Sequence, residues 1–426
     1  MDRLRGPGRR FPRPCRWPRP RSRGPQASRV VLTVRRTDTS VFGRWWWTVD
    51  RWTLLAIALL IALGGVLTLA ASPAAADRLG LESFHFVKRQ LVFAISTLAL
   101  LGFASLLSPL GVRRLGLLGF PVMLVALGAT AFAGVEVNGA RRWLEVAGLV
   151  IQPSELVKPL LAVVVALLLA GRAGAPGRSA LATAAVPLAL VLALLFLQPD
   201  VGTAVLVATV WLTQVFVAGL SLSWVVAFGL LGAAGAIVAY LALPHVASRI
   251  DRFLDPSTGD SFQIDTAREA FQHGGLLGRG PGEGVLKGVL PDAHTDFIFA
   301  VAGEEFGLAA GLILLALFAF VVLRCLTRTL QMSNRFLVLA ATGLIAQFGL
   351  QAVINVGVNL DLMPTKGMTL PFISYGGSSM LGMGLAIGML LALTRERADR
   401  MWTADIEALP AVSGAGGRRA AMGAAP

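Results

Sequence analysis

Residues able to do chemistry concentrate in one stretch, Pro291-Asp292-Ala293-His294-Thr295-Asp296-Phe297, which runs on through an apolar segment to Gly303-Glu304-Glu305. Ionisable groups are costly against lipid, so carboxylates and an imidazole at the edge of an apolar run mark a site. A carboxylate that loses solvation there becomes a better base, which suits Asp296 to take a proton from a hydroxyl. Thr295 or Asp296 could instead cap the helix that follows. His294 reads as a second titrating group or as a hydrogen-bond partner. Glu304 and Glu305 sit deeper and need a cationic partner or a proton, with Arg142 and Lys158 as the expected cations.

Other polar groups repeat the pattern. Asn138-Gly139-Ala140-Arg141-Arg142-Trp143-Leu144-Glu145 precedes Gln152-Pro153-Ser154-Glu155-Leu156-Val157-Lys158. Asn-Gly favours a turn, and Pro153-Ser154-Glu155 opens a helix that puts Glu155 and Lys158 on one face. These residues fit either an internal ion pair with an interfacial tryptophan, or a cationic and aromatic wall for an anionic head group. Asp200, in Gln198-Pro199-Asp200, is a helix cap or a site member. Gln347, Gln351, Asn355 and Asn359 recur every fourth residue, a ladder of amides on one helix face that serves helix packing or substrate. Lys366 and Ser374 stand in the proline-bracketed loop Asp361–Ser379. Ser374 and Ser378 show no partnered base, so a nucleophilic role has no support.

The elements that must hold these groups are membrane helices. Of 426 residues, 55% are hydrophobic and 15% charged, a composition outside that of soluble domains. Apolar runs at 53–72, 91–108, 116–134, 155–171, 181–197, 201–219, 224–243, 297–323, 335–357 and 373–394 predict an all-α polytopic membrane protein of about ten transmembrane helices. A large outer loop, 244–296, joins the seventh and eighth. Placing both termini in the cytoplasm puts about two-thirds of Lys and Arg inside, as the positive-inside rule requires. The singled-out polar groups then gather at the outer face of the cytoplasmic membrane, and the implied cavity is one-sided.

Three segments lie outside that frame. Residues 1–51 carry more than a third of the basic side chains among Pro, Gly and Ser, and read as a disordered cytoplasmic tail before a transmembrane domain spanning 52–398. Residues 399–426 form a second cytoplasmic tail. Within the large loop, Phe262–Phe271 has the spacing of a short amphipathic helix, and Gly278–Gly284 reads as flexible backbone. Cys15 and Cys325 fall on the cytoplasmic side, so no disulfide is expected.

Asn138–Lys158, Pro291–Gly307 and Asn355–Ser379 resemble the signature stretches of the SEDS family (shape, elongation, division and sporulation), and the last is most similar to its cell-division branch. The likeness covers residues 50–398. Asp292 stands where the family usually has Glu, and Gly284 where Ser is common. The resemblance implies an inverting peptidoglycan glycosyltransferase that polymerises lipid II outside the cytoplasmic membrane at the septum, with the aspartate matching Asp296 essential. It also implies as partners a class B penicillin-binding transpeptidase, FtsI, and the FtsQ-FtsL-FtsB complex. Departing diphosphate calls for Arg142, Lys158 or Lys366, or for a divalent cation (Mg or Mn) bridging phosphate and carboxylate. The residues leave two rival readings open, a lipid II flippase and a noncatalytic division scaffold.

Overall fold

The computed structural model describes residues 40–137, 140–146, 148–171, 177–242, 246–248, 250–251, 262–364 and 367–395. The chain forms α1 (Val41–Thr48), α2 (Arg51–Arg78), α3 (His85–Leu106), α4 (Pro109–Ala133), β1 (Val135–Val137), β2 (Ala140–Val146), β3 (Leu149–Ile151), α5 (Pro153–Ala170), α6 (Arg178–Leu197), α7 (Val201–Val217) and α8 (Leu222–Ala242). It continues as α9 (Phe262–Gly274), α10 (Ile298–Thr329), α11 (Arg335–Asn359) and α12 (Gly377–Leu393). Among the described residues, eight helices are long and apolar enough to cross a membrane, and α7 and α12 are shorter apolar helices. Each matches one of the apolar runs, so the protein is polytopic and built of helices.

The centre of the bundle is α5 and α11, whose side chains are mostly buried, with α12 packed between α3 and α5. Small residues let these helices approach. A Cβ at Gly382 would lie 2.6 Å from the Glu155 carbonyl, and one at Gly388 2.7 Å from that of Leu101. At the end of the bundle away from the polar loops, Asp50 caps α2 and takes Arg324 at 2.8 Å and Arg328 at 2.9 Å. Burial works to raise the Asp50 pKa, but these guanidinium groups and Thr53 outweigh it and hold it below the usual carboxylate value.

Several local features depart from the sequence reading. The end of the segment expected to be disordered forms α1, capped by the Ser40 hydroxyl on the Gly43 N–H and tied inward by Trp45 Nε1 donating to Ser105 Oγ at 3.0 Å. Three short strands join α4 to α5 as an antiparallel sheet in the order β1-β2-β3, with Glu136 opposite Arg141 and Glu145 opposite Val150. Short valine-rich strands this close together need no long apolar signal to pair. Asn138 and Gly139 lie outside the described residues.

Helix α10 is broken at Gly307 (φ 74°, ψ −175°), so residues 298–306 form a short buried helix separate from the long apolar one. The run expected to begin a helix at 373 is a re-entrant loop until Gly377. Phe372 (φ 63°) and Ile373 are buried against the middle of α2, where a Cβ at Gly64 would lie 2.4 Å from the Phe372 carbonyl. Irregular backbone at this depth is tolerated because protein, not lipid, surrounds it.

Candidate functional site

The polar ends of these elements enclose a cavity of about 510 Å³. The sheet contributes Arg142 and Trp143, α5 contributes Glu155, α7 Asp200, and α11 Gln351 and Asn355. Asp292, Thr295 and Asp296 enter from the long loop. Seven of the residues singled out by sequence therefore converge: Arg142, Trp143, Glu155, Asp200, Asp296, Gln351 and Asn355.

Asp296 is placed by its backbone. The Asp292 carbonyl accepts from the Thr295 N–H at 3.0 Å and the Phe297 N–H at 3.3 Å, forming a turn with Asp292 in the left-handed region (φ 54°). The Asp296 carbonyl accepts from the side-chain amides of both Asn355 and Asn359 at 2.9 Å. Asn355 also donates to the Met368 carbonyl, and the Asn359 amide oxygen accepts from the Ala300 N–H at 3.1 Å. Two rungs of the amide ladder thus fasten the aspartate loop to α11. The Asp296 Oδ2 faces the re-entrant loop, 3.4 Å from where a Cβ on Gly367 would stand.

Below the cavity, Lys158 is buried and donates to Glu155 Oε1 at 2.8 Å and to Gln351 Oε1 at 3.0 Å. Gln351 in turn donates to the Thr369 carbonyl and to Ser379 Oγ. Lys158 does not line the cavity. It forms the floor, satisfying one oxygen of Glu155 while Oε2 of that carboxylate is buried without a partner among the described residues.

Arg142 is anchored by donating to the carbonyls of Gln198 at 3.3 Å and Pro199 at 2.5 Å. A guanidinium has five N–H donors, so the rest of the fork stays available to an anion. Its neighbour Arg141 takes Glu136 at 3.3 Å on the exposed side of the strand pair. Asp200 both lines the cavity and caps α7 by accepting from the Thr203 N–H.

Four expected site members lie elsewhere. Glu304 and Glu305 are fully buried and reach away from the cavity to the loop before it. Glu304 Oε1 accepts from the Val285 and Leu286 N–H groups at 2.8 and 3.1 Å. Glu305 accepts from the Gly282 N–H at 3.0 Å and pairs with Lys287. The cation is therefore Lys287 rather than Arg142 or Lys158, because the Gly307 break turns the short helix toward the loop. The glycine run expected to be flexible is fastened by these bonds. Close backbone approach requires glycine there, since a Cβ at Gly278 (φ 80°) would fall 2.1 Å from the Glu305 carbonyl.

His294 stacks on Phe86 at a ring-centroid distance of 4.3 Å and lies 5.6 Å from Tyr375, while its carbonyl accepts from the Tyr375 N–H. Burial pushes the imidazole below its usual pKa, Asp292 opposing and Arg78 reinforcing the shift. It braces the loop and is absent from the cavity wall. Ser374 Oγ accepts from the Leu370 N–H at 2.8 Å and closes the re-entrant turn. Lys366 lies outside the described residues.

Gln263, Thr369, Tyr375 and Ser379 also line the cavity. Sequence reading did not single them out as site members because isolated hydroxyls and an amide, two of them in helices and two in the re-entrant loop, form no repeating pattern. Among the described residues no cluster of three or more His, Cys, Asp or Glu could hold a metal ion.

The cell cycle protein family FTSW_RODA_SPOVE matches residues 51–399. A probable peptidoglycan glycosyltransferase FtsW of Caulobacter vibrioides is 45% identical over 372 residues, covering 87% of this chain and 95% of that protein. A protein of the same description from Escherichia coli O6:H1 is 36% identical over 361 residues, covering 82% and 86%. Among solved structures, one on the coordination of polymerization and crosslinking by a peptidoglycan synthase complex has a chain similar at a TM-score of 0.68 and 28% identity, covering 83% of this chain and 98% of that one. The rod shape determining protein RodA of Thermus thermophilus is similar at a TM-score of 0.61 and 28% identity, covering 82% and 97%.

Proposed function

We propose, on the premise that this chain belongs to the FTSW_RODA_SPOVE family of cell cycle proteins and is a peptidoglycan glycosyltransferase of the membrane, that it polymerises lipid II with Asp296 as the general base. The observation that carries this reading is the polar cavity where Asp296, Arg142 and Glu155 meet at one end of an apolar bundle. A substrate with a polyprenyl tail and a sugar diphosphate head suits such a place, because the tail stays in lipid while the heads react at the membrane surface.

In this mechanism Asp296 takes the proton from the acceptor sugar 4-hydroxyl as that oxygen attacks the donor anomeric carbon. The new glycosidic bond forms as the bond to diphosphate breaks, α inverts to β, and the transition state is oxocarbenium-like, as in glycoside chemistry. The proton stays on the Asp296 carboxyl until water removes it. Arg142 meets the charge that develops on the departing diphosphate, assisted by Lys366. Lys158 holds Glu155 in place from beneath through its 2.8 Å hydrogen bond. The protein supplies no cage for a metal among its described residues, so a divalent cation, Mg or Mn, would enter bound to the diphosphate, and no step here depends on it.

Both termini lie in the cytoplasm in this proposal, the cavity opens outside, and the protein works at the septum. FtsI, as the class B transpeptidase, and FtsQ-FtsL-FtsB are its proposed partners. The buried Glu155–Lys158–Gln351 floor supports polymerisation over a lipid II flippase, which needs a polar path to both faces. Purified Asp296→Asn incubated with labelled lipid II tests the base. Loss of glycan strands by a folded protein is expected, and full-length strands would reject the assignment.

A further inference from the structure

The loop that delivers Asp296 is held from a direction the mechanism has not used. Arg78, in the last turn of α2, donates to the carbonyls of Lys287 at 3.0 Å, Val289 at 3.3 Å and Leu290 at 2.7 Å. These are the trailing carbonyls of the short 3-10 turn Leu286–Gly288, whose leading N–H groups are taken by Glu304. A turn this short leaves such groups unpaired at both ends. Here a carboxylate closes one end and a guanidinium the other. Pro291 follows at once, then the Asp292 turn that sets Asp296.

We infer that Arg78 is a positioning residue for Asp296: it locks the 286–290 turn to the end of α2 and thereby fixes where the aspartate loop begins. The inference rests on the glycosyltransferase reading for its kinetic consequence, but not for the clamp itself. A plainer role for Arg78 is a positive charge at a helix C-terminus, where it stabilises the helix dipole. The two roles separate by chemistry. Lysine keeps the charge, but its compact ammonium cannot span three carbonyls as a planar fork does. The helix that carries Arg78 also carries Gly64, against which the re-entrant loop packs. One helix thus sets the height of both backbone segments that face Asp296.

The test compares full-length wild type, Arg78→Ala and Arg78→Lys in nanodiscs by amide hydrogen exchange and lipid II polymerisation. Exchange over 286–297 is expected to rise about 10-fold in both variants, since the turn loses its outer anchor. The kcat is expected to fall about 10-fold or more in both with KM changed less than 2-fold, because a misplaced base slows chemistry without weakening binding. Unchanged exchange over 286–297 would overturn the clamp. Full recovery of kcat and protection by Arg78→Lys would overturn it too, and assign the effect to charge alone. If wild type makes no polymer, the glycosyltransferase reading fails, while the exchange comparison still decides the clamp.

Discussion

The Asn355 side-chain amide donates to the Asp296 backbone carbonyl at 2.9 Å, and Asn359, one helical turn further on, donates to the same oxygen at the same distance. One acceptor held by two donors is a redundant tether. Each amide has a second task, Asn355 on the Met368 carbonyl and Asn359 on the Ala300 N–H, so the re-entrant loop and the short helix 298–306 are joined at this point.

Redundancy predicts synergy. Asn355→Leu or Asn359→Leu alone should lower the polymerisation rate about 3-fold, while the double variant should lower it about 100-fold, because only then is the loop free to shift by an ångström or so. Rates from a double-mutant cycle decide this. Additive effects would mean that the two amides act separately.

Glu155 and Lys158 predict a different double-mutant result. Lys158→Met leaves a buried carboxylate uncompensated and should cost about 3–5 kcal/mol of stability. Glu155→Gln together with Lys158→Met should restore most of the thermal stability but none of the activity. Thermal unfolding of the purified variants, paired with the polymerisation assay, separates folding from chemistry.

Glycines in the loop should differ sharply in tolerance. Gly278→Ala places a Cβ against the Glu305 carbonyl in a left-handed conformation and should detach the loop, with loss of activity and greater proteolytic cleavage near 278–290. Gly288→Ala meets nothing within 4 Å and should behave as wild type. Equal effects of the two would mean that the loop is not packed as described.

His294 gives the protein a pH dependence. Burial depresses its pKa, so the folded protein holds the neutral imidazole while the unfolded chain takes up the proton first. The stabilising contribution is complete above the ordinary value of about 6.5 and declines as pH falls below it toward the depressed folded value. Thermal unfolding of wild type should therefore drop between pH 7 and pH 5 by more than that of His294→Gln. Parallel slopes would remove the imidazole as the cause.

How much was legible follows from what each element needs. Helices such as α5 and α11 announce themselves because a span must be apolar for its whole length. The amide ladder was legible for the same periodic reason, and Gln351, Asn355 and Asn359 do share one face toward the loops. The re-entrant segment was not. Pro371-Phe372-Ile373 has the composition of a span's first turn, and its reversal depends on packing against Gly64, more than 300 residues earlier. Lys287 escaped notice as the partner of Glu305 because their meeting requires the chain to break at Gly307. His294 looked like chemistry beside Asp296, yet adjacent residues in a turn point different ways, and Phe86 claims its ring.

The plugged base of the cavity has one more consequence. Beneath Lys158 and Gln351 the helices close on Val163, Val165, Ala166, Leu339 and Ala340, all buried. Apolar packing of this kind is a poor medium for an ion, so the described residues on that side of the cavity oppose leakage across an energised bilayer. On the proposed function, reactants and growing product then come and go at the cavity's own end of the bundle.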